Sequence, residues 1–320
     1  MKDKFNREID YLRISLTEAC NLRCIYCMPE GNVCFKHDNG LTDDELKYLI
    51  DVFGDIGLKK LRFTGGEPLL RKSIVELVAH AKKKNINKIA ITTNGVLLEK
   101  YLDDLVEAGL TEINISLDSL KEERFKDITR GGNLKSVLSS IKRAVKKGLI
   151  VKVNAVIIKD INQDEFVDLC KLTIDHKLDI RFIELMPIGE GTKYTGVSGI
   201  DLIEELKANF DVKEAKREAD NGPAFYYNIS NAEGRVGFIS ALTNHFCESC
   251  NRIRITPDGV LKQCLHFKSG LDLKEVLRNN STRCEVEEKI RETIYNKPQG
   301  HRFIEDKKTE DNRFMFQIGG

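Results

Sequence analysis

Apolar and polar residues alternate over residues 9–16 (IDYLRISL), the period of a strand with one buried face. From residue 43 the period changes. Leu46, Leu49, Ile50 and Phe53 fall on one helical face, and Thr42 is placed to cap it. The switch then recurs. Strand patterns over 61–64, 88–92, 112–117, 151–158 and 180–185 alternate with helical patterns over 74–83, 97–108, 134–147, 163–176 and 200–210, and Gly109 and Gly148 stop two of the helices. Six β-strand/helix units require a parallel sheet with right-handed crossovers. In the α/β class they fit an incomplete (β/α)6 barrel, short of the eight units of a closed one, with a doubly wound open sheet as the rival. Either fold gathers chemistry at the carboxyl ends of the strands. The unusual residues sit there: a cysteine loop after strand 1, Gly65-Gly66-Glu67 after strand 2, Thr92 to Gly95 after strand 3, Ser116 in strand 4 and Met186 after strand 6. Each alone reads as turn chemistry; five on one rim read as a site.

The pattern changes after residue 210. Residues 211–222 are polar, 224–230 and 235–239 read as a hairpin, and a strand pair brackets Pro257-Asp258-Gly259. Helices follow over 272–278 and 285–295. The expected division is a barrel over 1–210 and an extension over 211–320.

Composition changes this picture little. Of 320 residues, 41% are hydrophobic and 32% charged, with a net charge of +1, so no global field draws in nucleic acid or membrane. The charged start has no signal-peptide core, and no apolar run is long enough to span a bilayer, so a cytoplasmic location is expected. Nine cysteines then read as metal ligands rather than disulfides. Cys34, Cys170 and Cys284 stand alone as plain thiols. Cys20, Cys24 and Cys27 are spaced x3 then x2, which suits three corners of a [4Fe–4S] cube with a fourth iron left open. Zinc, with Cys34 or His37 completing a tetrahedron, is the alternative. Cys247, Cys250 and Cys264 form a second set. There His245 or His266 makes zinc an equal rival, and spacing alone leaves the choice open. Phe246 and Phe267 are placed to shield it. Arg252 and Arg254 share one strand face beside these thiols and suit an anionic ligand. Ile253 between them faces the other way.

These residues together resemble the radical S-adenosylmethionine superfamily and, within it, the molybdenum cofactor biosynthesis protein A family, the GTP 3′,8-cyclases. The resemblance runs from Tyr11 to Gly320. It rests on Leu12 to Thr17, the triple-cysteine loop continued by Met28-Pro29-Glu30, Arg62 to Pro68, Thr92 to Gly95, Ser116-Leu117-Asp118, Lys152-Val153-Asn154, Arg181 to Met186, the second cysteine set and the terminal Gly319-Gly320. It implies a partial barrel whose open side an extension helps to close, and two [4Fe–4S] clusters, on Cys20, Cys24, Cys27 and on Cys247, Cys250, Cys264. Tyr26, Gly66, Ser116 and Met186 match positions that contact the cosubstrate S-adenosylmethionine. Arg13, Arg62, Thr92, Lys152, Arg181, Arg252, Ile253 and Arg254 match positions around GTP, with Arg13, Arg62 and Lys152 as the candidate catalytic cations. The implied reaction cleaves S-adenosylmethionine, abstracts the ribose C3′ hydrogen of GTP and joins C3′ to guanine C8, giving 3′,8-cyclo-7,8-dihydro-GTP, the first step of molybdopterin synthesis. The implied partners are an electron donor and a downstream cyclic pyranopterin monophosphate synthase, and a homodimer is the default expectation. No Walker-type loop is present, so side chains must meet the triphosphate. The Gly-Gly end has no side chains to exclude it from a narrow cavity.

Overall fold

Each strand of the barrel carries apolar residues on one parity and polar or charged residues on the other, and this splits the sheet into two faces. The computed structural model describes residues 1–31, 40–84, 86–216, 222–243, 246–303 and 309–319. Strands β1 (Tyr11–Ser15), β2 (Lys60–Thr64), β3 (Lys88–Thr93), β4 (Glu112–Ser116), β5 (Ile150–Ala155) and β6 (Asp179–Ile183) pair in chain order, all parallel. Between them run helices α1 (Asp43–Asp55), α2 (Ile74–Lys83), α3 (Leu98–Glu107), α4 (Glu122–Thr129), α5 (Leu134–Lys146) and α6 (Phe166–Asp175). Leu12, Ile14, Leu61, Phe63, Ile89, Ile91, Ile113, Ile115, Val151 and Val153 pack into one core with the apolar stripes of these helices. Helix α1 begins at the cap expected at Thr42, and Glu45 reaches back to make it a capping box.

The remaining chain joins the same sheet. After α7 (Gly199–Asn209), strands β7 (Val212–Glu214), β8 (Phe225–Ile229) and β9 (Arg235–Ile239) form an antiparallel run whose last member lies parallel to β6. At the other edge β10 (Arg252–Ile255) lies parallel to β1, and β11 (Val260–Lys262) and β12 (Leu271–Asp272) continue outward. Helices α8 (Leu273–Arg278) and α9 (Arg283–Tyr295) follow. The hydrogen-bonded order runs from β12 at one end to β7 at the other, so the sheet is an open, mostly parallel one. Phe166, Phe182 and Phe238 stack across the β6–β9 joint, with ring centroids 4.6 Å and 5.8 Å apart in successive pairs.

Three details differ from the sequence expectation. Helix α4 was not foreseen, because its two apolar anchors, Phe125 and Ile128, sit in a charged run. The helix expected over 163–176 starts as a 3-10 turn, Gln163–Glu165, before α6. The strand expected over 151–158 ends at Ala155. Cys34, His37, His245 and Gly320 lie outside the described residues. No helix among the described residues is long and apolar enough to cross a membrane.

Candidate active site

The polar parity of the strands supplies the site. Tyr11, Arg13 and Ser15 on β1 share a face with Lys60, Arg62 and Thr64 on β2, as the register Tyr11 to Lys60 and Arg13 to Arg62 requires. The same parity brings in Thr92, Glu112, Asn114, Ser116, Lys152, Asn154 and Arg181, and Arg254 lies directly opposite Arg13. Arg62, Lys152, Arg181 and Arg254 are buried. Arg181 donates to Asn154 Oδ1 at 2.6 and 3.0 Å, and Asn114 donates to Thr92 Oγ1 at 3.3 Å. Burial, with Arg13 and Arg181 adding, brings Arg62 down to about 10. Burial likewise lowers Lys152 to about 8, and burial followed by the charges of Arg13 and Arg252 lowers Arg254 to about 9. Cations packed this closely, out of water, destabilise one another until an anion joins them.

The first cysteine loop follows β1. Cys24 O accepts from the backbone N–H groups of Cys27 at 2.9 Å and Met28 at 3.0 Å, which turns the loop tightly. Arg23 N–H and Ile25 N–H donate to Thr129 and Ile128, so α4 props the loop from outside. Burial and the neighbouring acidic groups raise all three thiols, Cys20 to about 11, Cys27 to about 12 and Cys24 well above its ordinary value. Buried thiolates that repel one another, with little cationic relief, fit ligands of a metal–sulfur group. Among the described residues no three His, Cys, Asp or Glu side chains converge on one ion.

Glycines let the neighbouring loops approach. A Cβ on Gly66 would lie 2.4 Å from the carbonyl oxygens of both Glu18 and Ala19. Gly66 N–H donates to Thr17 O at 2.7 Å, binding the two loops together. Tyr26 donates to Asp118 Oδ2 at 2.7 Å, and the other oxygen of Asp118 takes Val156 N–H at 2.9 Å. Burial raises Asp118 to about 6. Ser116 is half-buried at the end of β4. Met186 is partly buried against Ile188, Phe303 and Ile318.

The second thiol set lies just before β10 and after β11. Cys250 is nearly enclosed; burial pushes its thiol up, but Arg252 and Lys297 overcome this and bring it to about 6. Lys297 donates to Arg252 O at 2.9 Å and to Gln263 O. Arg7, held by Asp3 at 2.6 Å, donates to Cys247 O and Gln299 O, each at 2.8 Å. His266 is fully buried with its ring edge-to-face on Phe267 and Phe303, at 4.8 and 4.7 Å. Arg252 stands over the Phe246 ring at 4.7 Å.

The chain end links the two sets. Gly319 adopts φ +73°, and a Cβ there would lie 2.8 Å from Ser15 Cβ. Arg254 donates to Gly319 O at 3.0 Å. Three residues earlier, Phe316 N–H donates to the Cys27 thiol.

Ile253 has its side chain in the main hydrophobic core, 1% exposed, because strand parity turns it away from Arg252 and Arg254. Several residues of the site have no role assigned from sequence. Lys60, Tyr11 and Asn154 carry a usable signal, since each stands two residues from a residue already singled out, and Glu112 stands four from Ser116, on the same strand parity. Glu67 ties the loops after β2 and β3, accepting from Thr93 Oγ1 and Asn94 N–H at 2.8 Å each, and burial raises its carboxyl to about 7. Arg7 and Lys297 are remote in sequence and carry no such signal.

Comparison with known proteins agrees with this geometry. Residues 14–173 match the model of the Radical SAM superfamily, and residues 178–303 match Molybdenum Cofactor Synthesis C. The chain is 49% identical to a GTP 3′,8-cyclase of Clostridium perfringens over 323 aligned positions, covering 100% of both chains, and 45% identical to one of Clostridium botulinum with the same coverage. A crystal structure of Streptococcus suis SuiB bound to S-adenosylmethionine has the same fold, with a TM-score of 0.66, 15% identity and coverage of 97% of this chain and 77% of that one. By full-length similarity and by its two domain models, the chain belongs to the radical S-adenosylmethionine superfamily and, within it, to the GTP 3′,8-cyclase family.

Proposed function

We propose that this protein is a GTP 3′,8-cyclase that converts GTP and S-adenosylmethionine to 3′,8-cyclo-7,8-dihydro-GTP, the first step toward molybdopterin. The observation that carries the reading is the cation row on the inner sheet face, Arg62, Lys152, Arg181 and Arg254 buried and Arg13 half-buried, with Arg254 near the second group of three thiols. Cys20, Cys24 and Cys27 would hold one [4Fe–4S] cluster, within 1–210, and Cys247, Cys250 and Cys264 a second, within 211–320. Bound there, the cluster on Cys20, Cys24 and Cys27 would supply the electron for reductive cleavage of S-adenosylmethionine.

The chain's own residues do the positioning. Tyr26, anchored by Asp118, and the close-packed Gly66 shape the pocket for S-adenosylmethionine, with Ser116 and Met186 on its rim. Arg13, Arg62 and Lys152 come from three strands and grip the triphosphate from several sides, which fixes the ribose for hydrogen abstraction. Arg181 stiffens that grip through Asn154, and Thr92 is steadied by Asn114. Arg252 and Arg254 bring the guanine end toward the second thiol set, and the tail at Gly319 covers the rim, keeping water out. An electron donor, a downstream synthase that takes the product and a homodimer complete the reading.

The test is anaerobic. The reconstituted protein, given reductant and S-adenosylmethionine, should form 5′-deoxyadenosine and a cyclised nucleotide with GTP and no such product with ATP. Cys24→Ala should abolish deoxyadenosine formation. Deoxyadenosine formed without any GTP-derived product overturns the substrate assignment.

A further inference from the structure

Glu112 opens β4 on the inner face, in register with Ala90 and, through it, Arg62. The residue is 2% exposed. One carboxylate oxygen, Oε2, meets Lys60 Nζ at 2.6 Å, Lys152 Nζ at 3.3 Å and Arg62 Nη2 at 3.8 Å. The other groups around this point are also accounted for. From β1 the Tyr11 hydroxyl accepts from Arg13 Nε at 3.3 Å, and its ring lies 5.5 Å from both the Lys60 ammonium and the Arg62 guanidinium. From β6 come Arg181, which is hydrogen-bonded to Asn154, and Asp179, whose carboxylate pairs with Arg235 at 2.8 Å. The ion pairs of Lys60, Arg62 and Lys152 therefore converge on Glu112.

We propose that Glu112 is a positioning residue of the nucleotide site: its carboxylate gathers Lys60, Arg62 and Lys152 into one charged group that receives the phosphate end of the substrate. This rests on the GTP reading above. The Lys152 ammonium and the Arg62 guanidinium, both buried, and the partly buried Lys60 ammonium, left to themselves, would swing apart or shed a proton. Glu112 prevents both, because one carboxylate oxygen accepts from Lys60 and Lys152 and pairs with Arg62, three cations from two strands. Lys152 is the sensitive member. Burial lowers it to about 8, the charges of Arg181, Lys60 and Arg62 push the same way, and Glu112 is the partner that opposes them. Although burial disfavours its charged form, Glu112 itself is held down to about 2 by Lys152, Lys60 and Arg62, so it stays ionised across the working range. Without that carboxylate, Lys152 loses its proton nearer neutrality and the phosphates lose a cation.

The experiment is equilibrium binding of GTP to the anaerobically reconstituted full chain between about pH 6 and pH 8.5, with thermal midpoint and visible absorption recorded for each variant. Glu112→Gln should bind GTP roughly tenfold more weakly than the wild type at the alkaline end, the equivalent of about one pKa unit on Lys152, and the gap should close toward pH 6. Glu112→Asp should restore most of the affinity. Adding Lys152→Arg to Glu112→Gln should flatten the pH dependence, since arginine keeps its charge. Lys152→Arg alone, which leaves the carboxylate in place, should abolish the wild type's alkaline loss of affinity, and it tests the claim even where Glu112→Gln melts early. Affinity of Glu112→Gln equal to the wild type at every pH, or reduced by the same factor at every pH, overturns the proposal, as does an alkaline loss that persists in Lys152→Arg. A wild-type protein that binds no GTP overturns the nucleotide reading instead.

Discussion

At the scale of single residues, strand parity decides what each side chain can do. Arg252 and Arg254 reach the site because they stand two apart on β10, and Ile253 between them is turned into the core with Leu12 and Ile255. The Ile253 side chain thus contributes stability. Ile253→Val should cost about 0.5–1.5 kcal/mol and Ile253→Ala about 2–5 kcal/mol, read from denaturant unfolding, because methyl groups are removed from a close-packed interior. GTP affinity per folded molecule should be unchanged for Ile253→Val. A variant of wild-type stability that binds GTP tenfold less well would return Ile253 to the substrate contacts. The same parity explains why the cations of the site are expensive to keep: Arg62, Lys152 and Arg254 are all pushed down from their ordinary values by burial. The protein bears that cost in its unliganded form, and a polyanion relieves it.

At the scale of elements, the six βα units, the β8–β9 hairpin and the last two long helices were legible, since each shows as a run of period 2 or 3.6 in the apolar positions. The cysteine sets and the two arginines after the second were legible as spacing. The docking of those elements was not. That β9 lies beside β6, and β10 beside β1, depends on pairings between residues such as Arg181 and Gly237, or Arg13 and Arg254, which are far apart in the chain and leave no local pattern. The tail is a second case. Its Gly-Gly end drew notice, but what straps it down did not. Lys262 on β11 is fully buried and pairs with Asp311, and Arg313 donates to Asp311 Oδ2 at 2.8 Å while its Nη1 meets Asp258 at 3.2 Å. Thr309 Oγ1 donates to His266 O at 2.7 Å. From this clasp the chain runs on to Phe314, against Gly189, and to Gly319. Asp311→Ala leaves a buried lysine unpaired, a loss of about 3–5 kcal/mol where a buried pair is broken. The strain should be relieved locally. Hydrogen exchange over residues 309–319 should rise sharply while β1 to β6 stay protected, and cyclisation should fall further than deoxyadenosine formation. Equal exchange along the whole chain would make Asp311 an ordinary core residue. The pH dependence has a definite sign. Burial works against the charged form, but Arg313 and Lys262 outweigh it and hold Asp311 at about 2, below its ordinary 3.8. Its stabilising contribution is therefore present above the ordinary carboxylate range and lost as pH falls toward 2.

At the scale of the whole molecule, residues 211–320 complete the sheet that residues 1–210 begin. Alone, the six parallel strands would end in two bare edges, β1 on one side and β6 on the other, each a row of unpaired backbone groups. In the full chain β10 covers the first and β9 the second. The aromatic stack makes the dependence hydrophobic as well, since Phe166 and Phe182 of the barrel pack on Phe238 of the extension. The N-terminus adds a third link: Arg7 donates to carbonyls of Cys247, Pro298 and Gln299. A fragment ending at residue 210 keeps every ligand of the first cysteine set and most of the cation row, so on residue content alone it would be a working half-enzyme. The fold says otherwise. With both edges bare and Phe182 uncovered, it should elute as aggregate in size-exclusion chromatography and retain little iron after anaerobic reconstitution. Co-expression with residues 211–320 as a separate chain should recover a soluble complex, because the pairings at both edges are intermolecular in principle and need no peptide bond across residue 210. A monomeric, iron-loaded fragment that cleaves S-adenosylmethionine would show that the barrel stands alone, and that the extension serves the substrate and not the sheet.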